Sequence, residues 1–131
     1  SYYSSQGNQN TRIGLAINLL RLRPEHQMAV FEVGISQRGE MAHLARMLQP
    51  TTGVITAIAH SHSKGIGTLA DIAREKRDLF YFFKQDQIGV INGDAPFLST
   101  VSYPHPVLKF GTKTVHQIQA RKISIDGTTL R

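Results

Sequence analysis

What most constrains this chain is its rhythm. Short apolar runs of strand length alternate with longer segments whose apolar residues recur at helical spacing. Met28–Val33 (MAVFEV) reads as a first strand and Thr52–Ile58 (TGVITAI), rich in β-branched residues, as a second. Ile88–Asn92 (IGVIN) reads as a third and Val107–Phe110 as a fourth. Between them, Thr11–Leu22 reads as a helix with Ile13, Ile17 and Leu20 on one face and Asn10 or Thr11 as cap. Arg38–Leu48 reads as a second helix, stopped before Pro50, and Thr68–Phe83 as a third, opened by the capping pattern Thr68-x-x-Asp71. Strands apolar on both faces and separated by helices predict an α/β fold, a mostly parallel sheet flanked by helices. The first residues predict no complete element. His116–Ile125 alternates loosely, and Asp126-Gly127 is a hairpin turn, so an antiparallel element is expected at the carboxyl end. Both ends look cut.

Composition removes several function classes. With 131 residues there is material for one domain and one core. No apolar run reaches the length of a membrane span, and no basic-then-apolar leader opens the chain. Cysteine is absent, which excludes disulfide scaffolds and thiolate metal sites. The formal charge is +6, from 15 Lys and Arg against 9 Asp and Glu, so an anionic partner is favoured. The cations are scattered, however, and the densest group (Arg74, Lys76, Arg77) is interleaved with Glu75 and Asp78. Without tryptophan or a stacking platform, nucleic acid is not the expected ligand.

In open parallel sheets, ligands sit beyond the carboxyl ends of the strands. Here those ends carry Glu32 with Gly34 and Ser36, then His60, Ser61, His62, Ser63 and Lys64 ahead of Gly65 and Gly67, then Asn92, Gly93 and Asp94. A carboxylate, an imidazole and a second carboxylate from successive strand ends suit one hard cation. Lys76 is the odd residue, because it interrupts the apolar stripe Leu69, Ile72, Ala73, Leu79, Phe80 and Phe83, while Arg74, Glu75, Arg77 and Asp78 are expected to point elsewhere. Two readings stand: a lysine that lays its stem on the core and snorkels, or one whose buried amine is held neutral and nucleophilic. His26, His43 and His105 are expected at the surface, and Tyr2 and Tyr3 as packing residues. No GxxxxGK[ST] phosphate loop occurs.

Four segments in order carry a resemblance. Gly7–Leu22 (GNQNTRIGLAINLLRL), Ala29–Pro50, Gly53–Phe80 and Gly89–Pro96 (GVINGDAP) follow one another with the spacing of the Mur ligase central domain. The closest likeness is to the branch that joins D-alanyl-D-alanine to UDP-N-acetylmuramoyl-tripeptide in bacterial peptidoglycan synthesis. The resemblance implies one partial central domain over 1–131, with the first strand and phosphate loop of the fold lying upstream of Ser1. It implies ATP and Mg2+ as cofactors, a cytoplasmic setting, amide formation through an acyl phosphate, and no activity for the chain alone, since the amino- and carboxyl-terminal domains of the parent are absent. It further implies that Glu32 ligates the magnesium bridging the ATP phosphates and that His62 holds a second. Lys76 would be the carbamylated lysine, a metal ligand and, with His62, part of the catalytic set. Asn8 and Asn10 would lie by the phosphates and the muramoyl substrate, and Asn92 and Asp94 beside the nucleotide.

Three positions depart from the pattern. Ala57 stands where an asparagine is usual, Lys64 where an acidic residue is usual, and Ala95 where a second aspartate would follow Asp94. Each weakens an implied cation or nucleotide contact. The competing readings are a related amino-acid ligase of the folylpolyglutamate or cyanophycin synthetase kind, and a non-catalytic basic α/β binding module.

Overall fold

The structure is a computed structural model, and it describes residues 1–59, 63–121, 125–126 and 129–130. Helix starts follow local chemistry. Helix α1 (Arg12–Leu20) begins after Thr11, whose hydroxyl accepts the Gly14 N–H. Helix α2 (Glu40–Leu48) begins after Gly39 and ends at Gln49 in a left-handed conformation just ahead of Pro50. After the short α3 (Ser63–Ile66), α4 (Leu69–Arg77) opens with the full capping box. The Thr68 hydroxyl accepts the Asp71 N–H, and the Asp71 carboxylate accepts the Thr68 N–H at 3.0 Å. A cap of this kind stabilises a helix by about 1 kcal/mol. The helix tightens into a 3-10 turn at Asp78–Phe80, so it stops short of Phe83.

The strands pair in the expected sense. Strands β3 (Thr52–Ile55), β4 (Ile88–Asn92), β5 (Val107–Gly111) and β6 (Ile118–Gln119) form a parallel sheet in that order. Strand β6 corrects the sequence reading, which placed only antiparallel structure there. That element does appear later, as the antiparallel pair β7 (Ile125–Asp126) and β8 (Thr129–Leu130). A second correction concerns the amino end, where β1 (Tyr2–Ser4) pairs in parallel with β2 (Met28–Val30). Three residues with no periodicity of their own become a strand because a partner offers a ladder. Among the described residues β1 and β2 form a sheet of their own. The helix α5 (Pro96–Ser99) follows β4.

The core gathers Leu15 of α1, Leu44 of α2, Ile66 of α3, Ile72 of α4, Ile91 of β4 and Leu98 of α5, all at most 2% exposed. Helix α1 does not use the face its apolar spacing suggests. Ile13 and Leu20 are 76% and 87% exposed, and the inward residues are Gly14, Leu15 and Asn18. Asn18 decides this orientation: its carboxamide donates to the Gln9 and Gly14 carbonyls and accepts from the Tyr3 hydroxyl. A fully satisfied buried amide is a directional anchor, which an apolar stripe is not. His105 also departs from expectation. It is 5% exposed, enclosed by the rings of Phe80, Phe83 and Tyr103 at 5.0, 5.1 and 5.6 Å. Its proline neighbours suggest a surface loop, yet the chain is entering β5 and carries the ring under the sheet. No helix among the described residues is long and apolar enough to cross a membrane.

Candidate functional site

Two groups of side chains assemble from the residues singled out above. The first lies where β2 ends and α1 begins. Glu32 follows β2, exposed to solvent, and its Oε1 accepts from the Asn10 carboxamide at 3.1 Å. The Glu32 backbone N–H donates to the Ser5 hydroxyl, and the Gly34 N–H to the Asn10 carbonyl at 2.9 Å. Gly34 is required for this contact, because a Cβ there would lie 2.9 Å from the Asn10 carboxamide carbon and push it off the carboxylate. Asn8, Asn10, Arg12, Gly34, Ser36 and Glu40 face an open cavity of about 300 Å³. Glu40 accepts the N–H groups of Ser36 and Gln37, and those bonds hold its carboxyl below the usual carboxylate range.

The second group lies at the end of β3. Lys76 is half-buried, and its Nζ donates to the Ala57 carbonyl at 2.9 Å. One residue away, the Asn92 carboxamide donates to the Thr56 carbonyl at 3.0 Å. Burial alone pushes the Lys76 amine below the ordinary lysine value, because removing water penalises the charged form. The stripe expected around Lys76 is present, with Ile72, Ala73, Leu79, Phe80 and Phe83 buried. Glu75 is not where sequence reasoning put it: it is 6% exposed and accepts backbone N–H groups at the start of α2. The one available signal was the absence of any capping side chain at Gly39.

Asp94 turns a different way. Its Oδ2 accepts the Thr112 N–H at 2.7 Å and the Thr112 hydroxyl at 2.9 Å, and its Oδ1 accepts from His116 Nε2 at 2.9 Å. An ionised carboxylate only accepts, so His116 carries its proton on Nε2. These partners, the Thr112 N–H first and His116 second, hold Asp94 down to about 2. Because the folded value lies below the unfolded one, the stabilisation is complete above the ordinary carboxylate range and is lost as pH falls toward 2. Unfolding of wild type and Asp94→Asn, followed in denaturant from pH 7 to pH 2, should therefore show a gap that closes below about pH 4. A constant gap would mean the carboxylate is not held this way.

His62, with His60, Ser61 and the side chain of Lys64, lies outside the described residues. Among the described residues no three His, Asp or Glu side chains gather as a ready metal cage. What is present still fits magnesium. Glu32 offers an exposed hard oxygen donor held by Asn10, itself on the wall of the open cavity, and that ion characteristically takes one or two carboxylates while keeping waters and substrate oxygens. Lys76 as an ammonium has no lone pair to offer, and as a neutral amine it is a poor match for a hard cation that prefers oxygen; an anionic oxygen-bearing derivative fits better.

Comparison with known proteins adds the remaining findings. The family model described as the Mur ligase middle domain matches residues 1–130. The UDP-N-acetylmuramoyl-tripeptide–D-alanyl-D-alanine ligase of Treponema pallidum is 37% identical over 107 residues, covering 80% of this chain and 23% of that protein. The ligase of the same name from Bacillus subtilis is 32% identical over 122 residues, covering 93% and 26%. The chain thus spans about a quarter of the length of these curated relatives. A crystal structure of MurF from Acinetobacter baumannii superposes with a TM-score of 0.85 at 24% identity, over 95% of this chain and 28% of that one. MurF of Thermotoga maritima, solved in complex with ADP, gives the same score and identity over 99% and 30%. The fold is the α/β arrangement of those structures, and the chain belongs to the Mur ligase family, matching its middle domain.

Proposed function

We propose that the chain supplies the ATP-handling middle domain of a bacterial ligase that joins D-alanyl-D-alanine to UDP-N-acetylmuramoyl-tripeptide. The observation that carries this reading is Lys76, a lysine set into an apolar helix face and held at a strand end, in a chain whose relatives bear that ligase name. In the proposed reaction the tripeptide carboxylate takes the γ-phosphoryl group of ATP, giving ADP and an acyl phosphate. The D-alanyl-D-alanine amine then attacks the acyl carbon, phosphate leaves, the amine proton passes to solvent, and an amide remains.

The chain's own residues have separable tasks in this reading. Glu32, oriented by Asn10, offers a carboxylate oxygen to magnesium, and His62 and carbamylated Lys76 offer a second position. Magnesium bound there supplies charge neutralisation for the transferring phosphoryl group. Asn8 and Asn10 bind toward the phosphates and the muramoyl substrate. Asn92 shapes the nucleotide side by holding the segment after β3, and Asp94 fixes the loop after β4 against Thr112 and His116. Residues 1–130 correspond to the middle domain, and substrate choice resides largely in other domains of the parent.

The test compares the whole parent protein with this chain. The parent should form the amide and release phosphate only when ATP, magnesium and both substrates are present. The isolated chain should hydrolyse no ATP, because positioning supplies most of phosphoryl-transfer catalysis. Magnesium-dependent turnover by the chain alone would contradict the assignment of tasks. A parent that lacks ligase activity but binds nucleic acid in a steeply salt-dependent way would favour a basic binding module instead.

A further inference from the structure

Lys76 is not placed by its own contacts alone. The residue before it, Glu75, buries its carboxyl group at 6% exposure. Its Oε2 accepts the Gly39 N–H at 2.8 Å and its Oε1 accepts the Met41 N–H at 2.9 Å. Both donors open α2, whose cap position offers no side chain. The first N–H groups of a helix need acceptors and carry partial positive charge, and a carboxylate meets both demands. Helix α4 thereby caps α2 through a bond between residues 36 apart in the chain.

Two successive residues of α4 therefore grip two different segments, the start of α2 and the stretch after β3. Glu75 holds the segment that runs on from Glu32, and Lys76 holds the Ala57 carbonyl after β3. Neighbours on a helix point roughly 100° apart, so one helix can face both segments at once. Other contacts tie the same parts together. Arg38 Nε donates to the Ile66 carbonyl at 2.8 Å, and its guanidinium pairs with Asp71 at 3.3 Å. A Cβ on Gly65 would come within 2.1 Å of the Ser36 carbonyl oxygen, so α3 packs directly on the backbone of that segment.

We propose that Glu75 is a positioning residue of the phosphoryl-transfer site, its carboxylate setting where Lys76 stands relative to the segment that carries Glu32. It acts through Lys76 and α2 and touches no substrate. The proposal rests on the reading of Lys76 as the site amine. The rival is a cap that contributes stability and nothing else.

Nuclear magnetic resonance on the whole chain separates the two. In Glu75→Ala, exchange of the Gly39 and Met41 amides should quicken by about tenfold or more. Overhauser contacts between the Lys76 side chain and the Ala57 segment should disappear while the core signals stay dispersed. Glu75→Gln keeps one acceptor and should keep those contacts. If Glu75→Ala does not fold, Glu75→Asp, which is charged but one methylene short, should show the same loss. Faster exchange at Gly39 and Met41 with the Lys76 contacts intact in both Glu75→Ala and Glu75→Asp would overturn the proposal. A parallel measurement uses 13C-labelled bicarbonate, with Lys76→Ala as the blank. Absence of a carbamate signal from the wild-type chain would overturn the reading of Lys76, while the contact measurement still decides the role of Glu75.

Discussion

Lys76→Ala in the whole ligase is expected to lower ATP-dependent amide formation by about 100- to 1,000-fold, the usual cost of removing one preorganised group at a charge-developing centre. The fold should survive, since Lys76 is only half-buried and gives up a single hydrogen bond, to Ala57. Burial favours the neutral amine. A neutral amine can attack carbon dioxide: an N–C bond forms, a proton leaves to water, and a negative group stands where a positive one was. Lys76→Arg sharpens the test, because a guanidinium keeps the positive charge and a donor for Ala57 but is never neutral at working pH. Loss of activity in both variants, followed as phosphate release with both substrates present, supports the carbamate. Near-wild-type activity in Lys76→Arg would return Lys76 to the snorkelling class.

The largest effect on stability is expected at Ile91. It is fully buried on β4, with Ile55 of β3 and Lys109 of β5 as its ladder partners. Ile91→Ala should cost about 2–5 kcal/mol, and Ile91→Val about 0.5–1.5 kcal/mol, because a strand paired on both sides cannot collapse into the space left behind. Domains of this kind are stable by roughly 5–15 kcal/mol in total, so the first substitution removes a large share. Denaturant unfolding checks it: the midpoint should fall with little change in slope. An unchanged midpoint would mean that β4 is not the centre of the sheet.

Strands β3, β4 and β5 of the four-stranded sheet were legible because strands of a parallel sheet read as continuous apolar runs, as IGVIN does at β4, whereas the two-residue β6 carries no such run. The start of α4 was legible because the capping box is a contact between residues three apart. The positions of Glu32 just after β2 and of Asn92 at the end of β4, and the half-buried place of Lys76 on α4, were legible from residue type and order. It was not legible where a long-range partner decides. Glu75 looked like one more solvated charge until α2 supplied two N–H groups, and His105 looked like a loop histidine until Phe80, Phe83 and Tyr103 closed around it.

Alternation of strand and helix, the capping of α4 and the odd place of Lys76 are thus properties of the amino-acid order itself, because each depends on neighbours within a few residues. The inward face of α1, the pairing of β1 with β2 and the burial of Glu75 were decided only in the folded molecule. In each, a polar group had to find its partner across 15 residues or more, as Asn18 found the Tyr3 hydroxyl and Glu75 the Gly39 N–H. A buried hydrogen bond is satisfied or costly according to where its partner lies, and that location exists only in three dimensions.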